Sequence, residues 1–103
     1  MQTITVQELK ERLDAGEQIH LLDVREPYEN AEFNIGGTLL PLGYVRSMQT
    51  DVIDDWKNDE IVVYCRSGNR SGIAAQFMEQ MGFSNVKNLT GGMVAWKQHV
   101  SAT

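Results

Sequence analysis

Ile61-Val62-Val63-Tyr64-Cys65-Arg66-Ser67-Gly68-Asn69-Arg70-Ser71 places the one cysteine of the chain at the junction of three kinds of sequence. Residues 61–64 are apolar and mostly β-branched, as in a strand buried on both faces. Residues 66–70 are polar around a central glycine, the composition of a turn, and Ser71 opens a helical pattern. A thiol in this position meets inward-pointing backbone N–H groups and the positive end of the following helix. Two arginines lie within five residues of the sulfur, in a chain that is otherwise acidic.

Outward from this stretch, strand and helix patterns alternate. Residues 71–81 predict an amphipathic helix burying Ile73, Ala74, Phe77, Met78 and Met81 and stopped by Gly82. Residues 86–89 predict a short strand, and Gly91-Gly92 turns into a last helix with Met93, Val94 and Trp96. Towards the N-terminus, Thr5-Val6-Gln7-Glu8 is a capping box, with Val6, Leu9 and Leu13 on one helical face and Gly16 as the stop. Residues 19–22 suit a buried strand. Residues 23–34 are polar, carry Pro27, and read as a loop with at most one helical turn. Residues 38–40 form a short strand ended by Pro41, and residues 44–49 and 52–56 two short helices or one broken one. The alternation predicts a single α/β domain over residues 1–103 with a mostly parallel sheet. Sites in such sheets lie beyond the carboxyl ends of the strands, where Cys65 sits.

Composition excludes several classes of function. With 42% hydrophobic and 22% charged residues in 103, the chain has the make-up of one folded domain. A formal net charge of −5 argues against nucleic acid and anionic membranes as partners. One cysteine forms neither an internal disulfide nor a Cys-x-x-Cys pair nor a structural zinc site. The opening Met1-Gln2-Thr3 lacks the charged and apolar regions of a leader, and no stretch reaches the length of a membrane span. The expected compartment is the reducing cytoplasm, where a thiol stays free.

Three blocks resemble one family, the single-domain rhodaneses. Leu21-Leu22-Asp23-Val24-Arg25-Glu26-Pro27-Tyr28-Glu29 is similar to their acidic-Arg motif. Residues 61–71 look like their active-site strand, loop and helix start, and Leu89-Thr90-Gly91-Gly92-Met93-Val94-Ala95-Trp96 like their C-terminal signature. The blocks stand in family order over residues 5–98. One departure is visible: where members often read Gly-His-Ile-Pro-Gly-Ala, this chain has Phe33-Asn34-Ile35-Gly36-Gly37-Thr38, so no role of the family's histidine is carried over to Asn34, and Gly36 in place of the proline is expected to loosen the loop. The resemblance implies a small rhodanese-like domain with about five short strands flanked by helices, acting as a sulfurtransferase without metal or organic cofactor. It implies that Cys65 is the catalytic nucleophile: it takes the sulfane sulfur of a small anionic donor such as thiosulfate as a persulfide and passes it to cyanide, a thiol or a protein.

The residues themselves support this chemistry. A free cysteine has a pKa of about 8.5, and the helix end with Arg66 and Arg70 is expected to lower it. The turn Arg66, Ser67, Gly68, Asn69 and Arg70 is the candidate donor-binding loop, with guanidinium groups suited to a sulfonate. Asp23 and Arg25 read as a structural pair near the site. His20 and His99 have no partner at metal-ligand or dyad spacing, the five methionines and Trp96 fit core positions, and Glu8, Glu11, Asp14 and Glu17 form a solvated face. Against these readings stand the bland ones: a lone cysteine after an apolar strand is usually buried and inert, and Arg70 or Arg66 can simply face solvent. Cell-cycle dual-specificity phosphatases and arsenate reductases carry Cys-x5-Arg, whereas this chain has the shorter Cys-x4-Arg associated with sulfur transfer. The rival reading is a sulfur-relay or binding module with incidental thiosulfate activity. A redox sensor ranks lower because this chain has no second cysteine to resolve a sulfenic acid.

Overall fold

The computed structural model describes residues 1–100. Five parallel strands, β1 (Gln2–Ile4), β2 (His20–Asp23), β3 (Thr38–Leu39), β4 (Glu60–Tyr64) and β5 (Asn85–Leu89), form one sheet in the order β1-β5-β4-β2-β3. The connections carry α1 (Val6–Asp14), α2 (Pro27–Glu32), α3 (Leu42–Arg46), a 3-10 helix (Asp51–Trp56) and α4 (Asn69–Gln80), and α5 (Gly92–His99) follows β5. Strand β4 is central, with His20–Asp23 in register with Ile61–Tyr64 on one side and Asn85–Asn88 with Glu60–Val63 on the other.

Strand periodicity divides the core into two layers. Ile61, Val63 and Cys65 point into one layer with Ala74, Ala75 and Met78 of α4 and Val45 of α3. Val62 and Tyr64 point into the other, with Val6 and Leu9 of α1 and Met93 and Trp96 of α5. Both faces of β4 are therefore covered, which is why residues 61–64 are apolar throughout. Cys65 continues the α4-facing row by one residue past the strand, which brings its sulfur beneath the first turn of α4.

Local chemistry explains the elements. Thr5 and Glu8 form the expected capping box: the Glu8 N–H donates to Thr5 Oγ1 at 3.1 Å and the Thr5 N–H to Glu8 Oε1 at 3.2 Å. A box of this kind stabilises a helix start by about 1 kcal/mol. Residues 23–34 are more helical than the polar composition predicted. Pro27 occupies the first turn of α2, where its missing N–H costs nothing, and Glu29 accepts the Glu26 N–H at 3.1 Å.

Other expectations are corrected by burial. Helix α4 begins at Asn69, two residues earlier than expected, and its Ile73 is 38% exposed while Ala75 and Ser71 face the core. Of the methionines, Met78 and Met93 are buried, but Met1 and Met48 are exposed. Met48 has φ 60°, and this left-handed residue separates α3 from the 3-10 helix. The segment around Asn34 is tied rather than loosened. Asn34 donates from Nδ2 to the Asn30 carbonyl and accepts the Gly36 N–H at Oδ1, both at 2.9 Å, and the Tyr64 hydroxyl donates to the Gly36 carbonyl at 3.0 Å.

Candidate active site

Cys65 follows β4 directly, and the turn after it is shaped by Gly68, whose φ of 101° is left-handed. That conformation aims successive N–H groups at the sulfur. The Gly68 N–H donates to Cys65 Sγ at 3.1 Å, and the Ser71 N–H, in the first turn of α4, at 3.4 Å. Ser71 Oγ lies 3.3 Å from the same sulfur. Ser71 is fully buried and Cys65 1% exposed, so these donors act where water does not compete.

The state of the thiol is a contest between burial and hydrogen bonding. Burial pushes it up; the Ser71 hydroxyl and the backbone N–H groups of Ser71, Gly68 and Ser67 outweigh this and hold it below the ordinary thiol value. The direction matches the sequence reading, but the cause differs. Hydrogen bonds dominate, and Arg70 adds a weaker charge attraction. Arg66 is exposed, with no ion pair or side-chain hydrogen bond among the described residues. Ser67 and Asn69 are also exposed.

Arg70 is not free. Its two terminal nitrogens donate to Glu29 Oε1 and Oε2 at 2.7 and 2.9 Å, linking α4 to α2. This bidentate pair holds the Glu29 carboxyl down at about 2, against an ordinary 4.5, with burial opposing. A depressed carboxylate stabilises the fold in full above its unfolded value and loses that contribution as pH falls through the folded one. The window is therefore between about 4.5 and 2. Acid thermal denaturation should show a steep loss of stability there, and Glu29→Gln should flatten it; an unchanged profile would mean that the pair contributes nothing. Glu60, held at about 2 by Arg12 first and also by Lys87, adds a loss in the same window that this substitution leaves in place.

Asp23 and Arg25 come together as the expected structural pair. Arg25 donates from Nε to Asp23 Oδ1 at 2.9 Å and from Nη2 to Oδ2 at 2.8 Å, and its own N–H also reaches Oδ1. Asn30 Nδ2 donates to Asp23 Oδ2, and Arg25 Nη2 to the Phe33 carbonyl at 2.6 Å. The cluster ties the end of β2 to the second half of α2 and its C-cap.

Three contributors were not assigned from sequence. Ser71 was read only as a helix start. Asn88, on β5, accepts from Ser71 Oγ at 2.5 Å and donates to the Gly68 carbonyl at 3.1 Å. The signal was present: Asn88 has the parity of Val86, so it is a polar side chain at a core-facing strand position. Gly92 is a third. A Cβ there would stand 2.3 Å from the Cys65 carbonyl oxygen, and its absence lets the Met93 and Val94 N–H groups donate to the Cys65 and Arg66 carbonyls, each at 2.9 Å.

Beside the turn opens a pocket of about 550 Å³, lined among others by Arg25, Tyr28, Glu29, Phe33, Arg66, Met93 and Lys97. Lys97 Nζ lies 4.7 Å from the centre of the Phe33 ring. No helix among the described residues is long and apolar enough to cross a membrane.

Comparison with known proteins agrees with this architecture. Residues 5–99 match the rhodanese-like domain. A sulfurtransferase of Allochromatium vinosum is 36% identical over 97 residues, covering 93% of this chain and 88% of that protein. A putative sulfur carrier protein of Bacillus subtilis is 37% identical over 94 residues, covering 90% of this chain; the chain spans 49% of that protein's length. The crystal structure of a rhodanese-like domain protein from Staphylococcus aureus superposes with a TM-score of 0.82 at 29% identity, covering 93% of this chain and 91% of that one.

Proposed function

The chain belongs to the rhodanese-like domain family, and from that premise we propose that it is a sulfurtransferase in which Cys65 accepts a sulfane sulfur as a persulfide and passes it on. The observation that carries this reading is the convergence of the Gly68 N–H, the Ser71 N–H and the Ser71 hydroxyl on one sulfur atom. In the first step the Cys65 thiolate attacks the outer sulfur of thiosulfate. A new S–S bond forms, the bond to the sulfonate sulfur breaks, and sulfite leaves with its electron pair. In the second step a nucleophile attacks the terminal sulfur of the persulfide, and the S–S electron pair returns to Cys65 as thiolate. The inward donors stabilise that thiolate both as reactant and as leaving group. Neither step calls for a metal or an organic cofactor.

Arg66, with no ion pair among the described residues and at the pocket, takes the donor's sulfonate in this reading, and Arg70, shared with Glu29, holds the turn in shape beside Ser67, Gly68 and Asn69. Arg66→Ala is expected to raise KM for thiosulfate roughly tenfold with little change in stability, the size of one charge-assisted hydrogen bond. An unchanged KM would move the sulfonate elsewhere. A reducing compartment such as the cytoplasm suits a mechanism that needs a free thiol.

A second reading, relay to a protein or larger thiol, is favoured by the pocket. Its volume falls in the range that holds drug-sized ligands, well beyond a thiosulfate ion. Tyr28 on its wall is 71% exposed, and the Bacillus subtilis relative is named a putative sulfur carrier. Intact mass spectrometry after incubation with thiosulfate, repeated with cyanide, tests the first reading. A gain of one sulfur atom, lost as thiocyanate is released, supports it. No gain on a thiol that still alkylates would overturn thiosulfate as donor. Persulfide that forms but resists cyanide would favour the relay.

A further inference from the structure

We infer that Asn88 is a positioning residue for the sulfur: its side-chain amide competes with Cys65 for the single hydroxyl proton of Ser71, so that it favours the thiol and yields when the sulfur becomes anionic. The inference rests on Cys65 being the sulfur-bearing residue, and extends that reading to a proton.

The geometry leaves one arrangement. Asn88 stands on β5 opposite Val63 of β4, in the row next to Cys65. Its amide faces the Gly68 carbonyl at 3.1 Å, and a carbonyl can only accept, so the amide end there is Nδ2. Oδ1 is thereby turned to Ser71 Oγ at 2.5 Å, where it can only accept. The Ser71 hydroxyl therefore donates to Asn88 and offers the sulfur, 3.3 Å away, a lone pair. An S–H group can donate to that lone pair; a thiolate cannot. When the thiol proton leaves for solvent, the hydroxyl swings from Asn88 to the sulfur, and the bond to Asn88 is lost.

The Gly68 and Ser71 N–H groups donate to the sulfur throughout, so the hydroxyl is the part of the cradle that changes. Once a second sulfur is attached, the Cys65 sulfur is bridging and neutral, and the proton returns to Asn88. The charged groups on surrounding elements form a constant background: Arg70 of α4 paired with Glu29 of α2, Arg66 on the turn, the Asp23–Arg25 pair at the end of β2, and Lys97 of α5 at the pocket. The effect is to keep the thiol less acidic than its donors alone would make it, and a less acidic thiol is intrinsically the stronger nucleophile.

The pH dependence of alkylation by iodoacetamide tests this, because the chain has a single cysteine. Asn88→Ala should move the midpoint down by about one pH unit, the scale of one hydrogen bond. Ser71→Ala should move it up, and Asn88→Ala made in the Ser71→Ala protein should change nothing further. An equal shift in both backgrounds would assign Asn88 to holding Gly68, and no shift or an upward one would also overturn the inference. Should the variants unfold, the S–H stretching band of the unmodified protein decides: a band lowered from the free-thiol frequency, as for a donor, supports it, and a band at the free-thiol frequency overturns it. Neither readout involves sulfur transfer. A protein that shows these shifts yet gains no sulfur from thiosulfate would retain the Asn88 assignment and lose the proposed donor.

Discussion

Cys65→Ser is expected to reduce persulfide formation and thiocyanate release by at least about 10⁴-fold, the scale on which removal of a covalent nucleophile acts. A hydroxyl is not ionised near neutral pH in this cradle, and no other thiol exists in the chain to take its place. The fold should survive, because serine is smaller than cysteine by little and keeps the Gly68 and Ser71 N–H donors occupied. Intact mass after thiosulfate, together with thermal unfolding of the same sample, checks both halves. Sulfur carried by the serine variant would sink the mechanism, whereas loss of activity with loss of fold would call for Cys65→Ala as a second variant.

The second large effect is on stability. Asp23 is fully buried and Arg25 is 5% exposed, so each neutralises a charge that water cannot reach. Asp23→Ala strands the guanidinium and leaves the Arg25 N–H and Asn30 Nδ2 without their acceptor. Breaking one side of a buried pair costs about 3–5 kcal/mol, a large share of the 5–15 kcal/mol that stabilises a typical domain. Urea unfolding should show a midpoint well below wild type, and a loss under about 1 kcal/mol would mean that solvent reaches the pair. Replacing both residues at once by apolar side chains, as in Asp23→Leu with Arg25→Met, should recover much of the loss, because no lone charge remains buried. Coupling of this kind distinguishes a clamp from two independent contacts.

Why some of this was legible in the sequence and some was not follows from what each residue is held by. Residues 61–64 are apolar because both faces of β4 are covered, so composition alone located the strand and put Cys65 at its carboxyl end. Thr5 and Glu8 cap their helix through contacts three residues apart, which spacing reveals. Strand β1 carries no such signal: it is three residues long, with only Ile4 buried, and exists because β5 offers it an edge. Helix α2 was hidden by its polar surface, since none of its residues is buried, and what holds it is the Arg70–Glu29 and Asn30–Asp23 bonds to other elements. Ile73 was assigned to the core by helical periodicity along with Ala74, but α4 turns the smaller Ala75 inward beside Ala74 and leaves Ile73 38% exposed. The same distinction runs through the site. The cysteine, the glycine and the two arginines stand in one contiguous run. The partner that governs the Ser71 proton is 17 residues further on, across a strand, and only the fold brings it there.

The chain closes on itself late. Gln2, Thr3 and Ile4 pair with Lys87, Asn88 and Leu89, and the carbonyls of Cys65 and Arg66 are held by N–H groups of Met93 and Val94. A ribosome adds about 5–20 residues per second, so the stretch from Cys65 to Val94 takes on the order of seconds to appear. Until α5 has formed, the Cys65 and Arg66 carbonyls lack the Met93 and Val94 N–H groups, and the turn that carries the thiol is not clamped to the rest of the fold. The donors to the sulfur come from residues 68–71 themselves, but the turn that aims them is pinned only when the last helix seats against it.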